Sequence, residues 1–145
     1  MALMYWEDLT VGTVLKGDQV LVDRDEMIDY AVKNDPLPFH LDEESAAKSH
    51  FGGLVASGGY TITLWYRSMI PVLGTVALMA GYDFQMALPA PVRPGDKLQN
   101  HLTILEQQPA SKPGRGHVVS RNALVNQDET EVLVVEVRWL IAMRP

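Results

Sequence analysis

The sequence predicts an α+β fold in which helices come first and an antiparallel sheet follows. Three observations carry that prediction. Apolar spacing is helical before Thr75 and turns to period two after it, and one helix before that point is apolar around nearly its whole circumference. The 145 residues hold no internal repeat, low-complexity tract or long linker, which makes one domain spanning 1–145.

Gln19 to Val22 reads as a short strand. Asp23 follows as a helix N-cap, with Glu26 three residues later in capping-box position. That helix runs from Arg24 to about Lys33 with Met27, Ile28 and Ala31 inward. The run Asn34-Asp35-Pro36-Leu37-Pro38 must end it, because prolines remove backbone donors and hold their predecessors out of the helical region. Asp42 caps a second helix through Ser49, closed by Gly52-Gly53. Ser57 can cap a third, in which Tyr60, Ile62, Leu64, Trp65, Tyr66, Met69 and Ile70 leave almost no polar side, and Pro71 or Gly74 ends it. A helix of that kind belongs in a protein interior. Leu98, Leu102 and Ile104 mark a strand. Leu133, Val135, Val137, Trp139, Ile141 and Met143 share one face of the last strand, with Glu136 and Arg138 on the other. Asn126-Gln127-Asp128-Glu129-Thr130 turns a hairpin between that strand and Val118–Val125.

Composition excludes several classes. No Cys occurs, so disulfides, thiolate nucleophiles and Cys-ligated metals are impossible. A net charge of −6 argues against general nucleic-acid binding, which needs a basic face. Between Phe51 and Tyr82 the one charge is Arg67, but Gly52-Gly53, Gly58-Gly59, Pro71 and Gly74 cut the stretch into pieces shorter than a spanning helix. A buried helix followed by a strand is expected there instead, with no membrane partner. Met1 to Asp8 lacks a basic n-region, so a cytoplasmic chain is expected. His50 is expected to close the second helix, His101 to be solvated, and His117 to begin a strand. No His pair has metal-ligand spacing and no phosphate-binding glycine loop occurs, so neither a metal nor a nucleotide cofactor is expected.

Asp35 and His40 stand five apart on a loop stiffened by Pro36 and Pro38. A carboxylate and an imidazole held at fixed separation are the parts of acid–base chemistry near neutral pH. On spacing alone the more ordinary reading is a turn residue and a helix-preceding histidine. The wider context adds to it: Asn34-Asp35-Pro36-Leu37-Pro38-Phe39-His40-Leu41-Asp42, then Phe51-Gly52-Gly53-Leu54-Val55-Ala56-Ser57-Gly58, then Pro91-Val92-Arg93-Pro94-Gly95-Asp96, then Asn126-Gln127. In order and spacing these resemble the MaoC-like, (R)-specific enoyl-CoA hydratase family, whose loop reads Asp-x-Asn-Pro-hydrophobic-His. The resemblance runs from about Tyr5 to Arg144.

It implies a hot-dog fold, a long buried central helix wrapped by an antiparallel sheet. It also implies reversible addition of water to a trans-2-enoyl thioester, giving the (R)-3-hydroxyacyl product. Asp35 and His40 would be the catalytic dyad, and the Gly58 N–H at the helix start the oxyanion donor. Phe39, Phe51, Gly53, Ser57, Tyr66 and Arg93 are candidate substrate contacts, although Gly52 and Gly53 read more readily as turn glycines. No cofactor is implied beyond CoA as part of the substrate. Acyl-CoA or an acyl-carrier-protein thioester is the implied ligand, with Arg93, Lys97, Arg115 and Arg121 as candidates for its anionic tail. A homodimer or higher assembly joined through the sheets is also implied. Leu37 departs from the family's usual Asn, Asn34 from a Gly, and Tyr66 falls where some members carry a small hydroxyl residue that supports the dyad. Two other readings remain on this fold, a thioesterase and a non-catalytic acyl-binding subunit. A thioesterase usually needs an acid at the buried helix, and none occurs between Glu44 and Asp83.

Overall fold

The computed structural model of the chain describes residues 2–145. Strand β1 (Val14–Leu21) leads into α1 (Arg24–Asn34), the short helices α2 (Pro38–Leu41) and α3 (Glu43–Ala47), and the long α4 (Gly58–Leu73). Four strands follow: β2 (Leu78–Ala87), β3 (Lys97–Pro109), β4 (Arg115–Val125) and β5 (Glu131–Ala142). They form one antiparallel sheet in the order β1-β3-β4-β5-β2, with α4 packed against its inner face.

Period-two patterning places the core as the alternation requires. Leu98, Leu102 and Ile104 of β3, Val118 and Leu124 of β4, and Leu133, Val135, Val137, Trp139 and Ile141 of β5 are all buried. Between them runs a polar seam. Asn100 Nδ2 donates to Asn122 Oδ1 at 3.0 Å, Asn122 Nδ2 donates to Ser120 Oγ at 2.9 Å, and Trp139 Nε1 donates to the same Oγ at 2.7 Å. The seam ties β3, β4 and β5 side to side. Ser68 of α4 joins the helix to it, accepting from the Asn100 N–H at 2.9 Å and donating to the Asp18 carbonyl at 2.6 Å. Here β1 bulges and crosses so closely that a Cβ on Gly17 would lie 2.4 Å from the Ser68 carbonyl oxygen.

Five local expectations are corrected. The first strand begins at Val14 rather than Gln19, and residues 38–41 make a helical turn where a loop was expected. The second helix ends at Ala47, so His50 does not close it. Asp23 caps α1 by accepting the Glu26 N–H, but Glu26 does not complete the box: its carboxylate accepts from Tyr60 Oη at 2.6 Å and Arg67 Nη1 at 2.7 Å. Finally, α4 is buried on its sheet side through Tyr60, Leu64, Trp65 and Met69, while Tyr66 and Ile70 face outward. The sheet covers one side of the helix and α1 packs near its start, which leaves Tyr66 and Ile70 exposed. No helix among the described residues is long and apolar enough to cross a membrane.

Candidate active site

Asp35 sits at the C-cap of α1, its N–H donating to the Ala31 carbonyl at 2.9 Å. Pro36 keeps the chain from continuing as helix. Pro38 at the first position of α2 then starts a single turn that delivers His40, 6% exposed, back toward Asp35. His40 Nε2 stands 3.2 Å from Asp35 Oδ2. The other ring nitrogen, Nδ1, lies 2.8 Å from the Val55 carbonyl, which can only accept. Nδ1 therefore carries a hydrogen, and Nε2 is the nitrogen free to gain or release a proton.

Asp35 is also reached from α4. Ser57, the N-cap residue of that helix, donates its hydroxyl to Asp35 Oδ2 at 2.8 Å. Asp35 Oδ2 thus faces both Ser57 and His40, and among the described residues Asp35 Oδ1 has no protein donor. The hydroxyl makes no cap bond, so no side chain closes off the N–H groups of the first turn of α4. The dyad lies at the amino end of the inner helix.

Beside it opens a cavity of about 580 Å³. Gly58 and Thr61 of α4 and His40 border it, with Leu37 and Phe39 on one side and Leu88 through Arg93 on another. His50 and Phe51 also line it, their rings 4.0 Å apart. The walls are mainly apolar, with convergent polar groups at the dyad and the helix start, the make-up of a small-molecule site. Leu88 approaches so closely that a Cβ on residue 58 would lie 2.9 Å from its Cδ1.

The fold draws some of the anticipated residues together and sets others apart. Asp35, His40, Gly58, Phe39, Phe51 and Arg93 meet at or beside the cavity. Gly53 packs under the Arg93 guanidinium, which donates to the Phe51 carbonyl at 2.5 Å and so pins the turn that carries it. Ser57 hydrogen-bonds to the dyad rather than capping its helix. Tyr66 lies away from the cavity, tilted against Trp65 at 4.7 Å and 41% exposed. Of the four basic candidates only Arg93 lines the cavity; Arg121 is held by Glu131 at 2.8 and 3.0 Å. Thr61 and Leu88 were not anticipated. Thr61 stands three residues after Gly58, hence on the same helix face, and that spacing could have found it. Leu88 lies just after β2, far from the helix in sequence, and nothing local points from it to the helix.

The other motifs lock the wall in place. Asp96 accepts the Arg93 N–H at 2.9 Å and Gln127 Nε2 at 3.0 Å, while Gln127 Oε1 accepts the Lys97 N–H at 3.0 Å. Gly95 supplies the positive φ, +85°, that the turn requires.

The model of the MaoC like domain matches residues 8–126. The chain belongs to the MaoC-like domain family. Its architecture is the hot-dog fold. It is 30% identical over 141 residues to the uncharacterized protein YdeM of Bacillus subtilis, covering 95% of this chain and 99% of that one. It is also 30% identical over 121 residues to the 3-hydroxybutyryl-CoA dehydratase of Methylorubrum extorquens, covering 79% of this chain and 73% of the relative. Among solved structures, the MaoC-like dehydratase of Rhodospirillum rubrum superposes with a TM-score of 0.89 at 32% identity, over 98% of this MaoC-like chain and 99% of that one.

Proposed function

We propose that this MaoC-like chain adds water reversibly to a trans-2-enoyl thioester and yields the (R)-3-hydroxyacyl thioester. The observation that carries the reading is His40, lining an apolar cavity at the amino end of α4 and paired there with Asp35. A water bound between Asp35 Oδ1 and His40 Nε2 attacks C3 of the enoyl group. One of its O–H bonds breaks as the O–C3 bond forms. The dyad takes that proton and a proton is returned to C2. Electron density moves meanwhile onto the thioester oxygen, which accepts from the uncapped Gly58 N–H. A donor fixed in this way contributes on the order of 2.7–4 kcal/mol to the transition state. Water delivered from one side gives syn addition, and dehydration is the same path reversed.

The substrate is a CoA or acyl-carrier-protein thioester, and the dehydratase relative favours a short acyl chain on CoA. No cofactor or metal takes part. A second copy of the chain covers β2 and the outward face of α4, and the cytoplasm is the proposed compartment.

The test is a spectrophotometric assay of enoyl-thioester hydration with a panel of acyl lengths, using the unaltered protein, Asp35→Asn and His40→Ala. Each variant is expected to fold and to lose activity by about 10²-fold or more, the scale of acid–base groups. Equal activity in all three removes the dyad from the mechanism. Hydrolysis of saturated acyl-CoA without hydration makes the protein a thioesterase, and thioester binding without turnover makes it an acyl-binding subunit.

A further inference from the structure

Ser57 occupies the position where a serine ordinarily accepts a backbone N–H from the first turn of its helix. Here it makes no such bond. The residue is 2% exposed, and its one hydroxyl hydrogen goes to Asp35 Oδ2 at 2.8 Å, across a sequence separation of 22 residues. A helix-cap bond has been given up for a contact with a carboxylate.

Two consequences follow from that orientation. Asp35 ends a helix and is 34% exposed in its side chain, so its own backbone leaves the carboxylate rotation unfixed. A donor at Oδ2 holds the group facing His40 Nε2, which is 3.2 Å from the same oxygen, and leaves Oδ1 for water. The same rotation turns the hydroxyl away from the first N–H groups of α4, so they stay open toward the cavity that Gly58 borders.

We propose that Ser57 is a positioning residue for Asp35, orienting the carboxylate and keeping the helix start uncapped for the thioester oxygen. This rests on the hydratase reading. Ser57 touches no reacting atom in this scheme; it acts through Asp35. The family resemblance implies a dyad-supporting hydroxyl at the position of Tyr66, which here lies away from the cavity. Ser57 provides that support from the other end of the first turns of α4.

The experiment compares steady-state hydration of a short trans-2-enoyl-CoA and thermal unfolding for the unaltered chain, Ser57→Ala and Ser57→Thr. The alanine variant is expected to lose kcat by about 10–10²-fold, the scale of a misplaced catalytic group, with KM and melting temperature unchanged. The threonine variant keeps a hydroxyl and is expected to retain most of kcat. Unchanged kcat in Ser57→Ala overturns the proposal. So does a kcat loss matched by a fall in melting temperature, which marks an ordinary structural role, or a threonine variant no better than alanine. An unaltered protein that hydrates no enoyl thioester overturns the hydratase reading itself, an outcome distinct from an active Ser57→Ala enzyme.

Discussion

At the residue scale, Gly58 concentrates several demands on one position. It begins α4, its N–H lacks a side-chain acceptor, and it lines the cavity beside His40. A methyl group there would meet Leu88 Cδ1 at 2.9 Å, the end of a side chain that is 54% exposed and free to move aside. Gly58→Ala is therefore expected to fold, with a melting temperature close to that of the parent. The added methyl instead crowds the approach of the thioester oxygen to the backbone donor. Loss of that donor costs about 10²–10³-fold in kcat. Steady-state kinetics beside a thermal melt checks this, and a fully active Gly58→Ala would move the oxyanion donor elsewhere. Arg93 shows the opposite case. Its guanidinium hydrogen-bonds to the Phe51 carbonyl and so supports the cavity rim, whatever contact it also makes with substrate.

At the scale of elements, α1 and α4 are joined through Glu26. Its carboxylate is held below the usual range first by the Tyr60 hydroxyl and then by Arg67. The Tyr60 phenol is pushed up by burial and by the adjoining Glu26. This tie matters to the site because α1 carries Asp35 at its end and α4 carries Ser57 at its start. Since the folded protein binds the Glu26 proton more weakly than the unfolded chain, the stability gained is complete above the ordinary value of 4.5 and disappears as pH falls through the lower folded value. Glu26 and Arg67 are each nearly half exposed, so solvent screening keeps the ion pair modest. Glu26→Gln is expected to cost about 0.2–1 kcal/mol at neutral pH and little under acid conditions. Denaturant titrations at both conditions read the difference, and a penalty that grew on acidification would contradict the assigned pairing.

At the scale of the whole molecule, the sheet has two edges and only one is sheltered. Strand β1 lies over α4 through Gly17 and Ser68, whereas all ten residues of β2 are exposed, among them Met79, Tyr82, Phe84 and Met86. Tyr66 and Ile70 extend the apolar surface onto α4. An unpaired apolar edge of this length pairs with other chains unless it is covered. The proposed second copy would cover it. Light scattering is expected to give a dimer for the unaltered protein and a monomer for the double variant Ile70→Lys/Met86→Lys. A monomeric unaltered protein would leave the edge without an occupant and overturn the dimer.

The elements follow from local signals. Asp23 and Asp42 cap helices at the expected places because capping joins a side chain to a backbone three residues away. Alternation assigns the buried face of β3, β4 and β5 because successive residues must point to opposite sides. The Asp35–His40 pair was legible through the family resemblance of the surrounding motifs rather than through its spacing alone, and the fold brings the two side chains to 3.2 Å. Tertiary structure alone decided which neighbour Ser57 would serve, since capping and pairing with Asp35 are equally available to a serine until α1 and α4 are docked. It also decided that α4 would be covered on one side, that Arg93 would hold the Phe51 carbonyl, and that Leu88 would close over Gly58. Each of these depends on what another part of the chain brings within a few ångströms, and that distance is set by packing rather than by sequence neighbours.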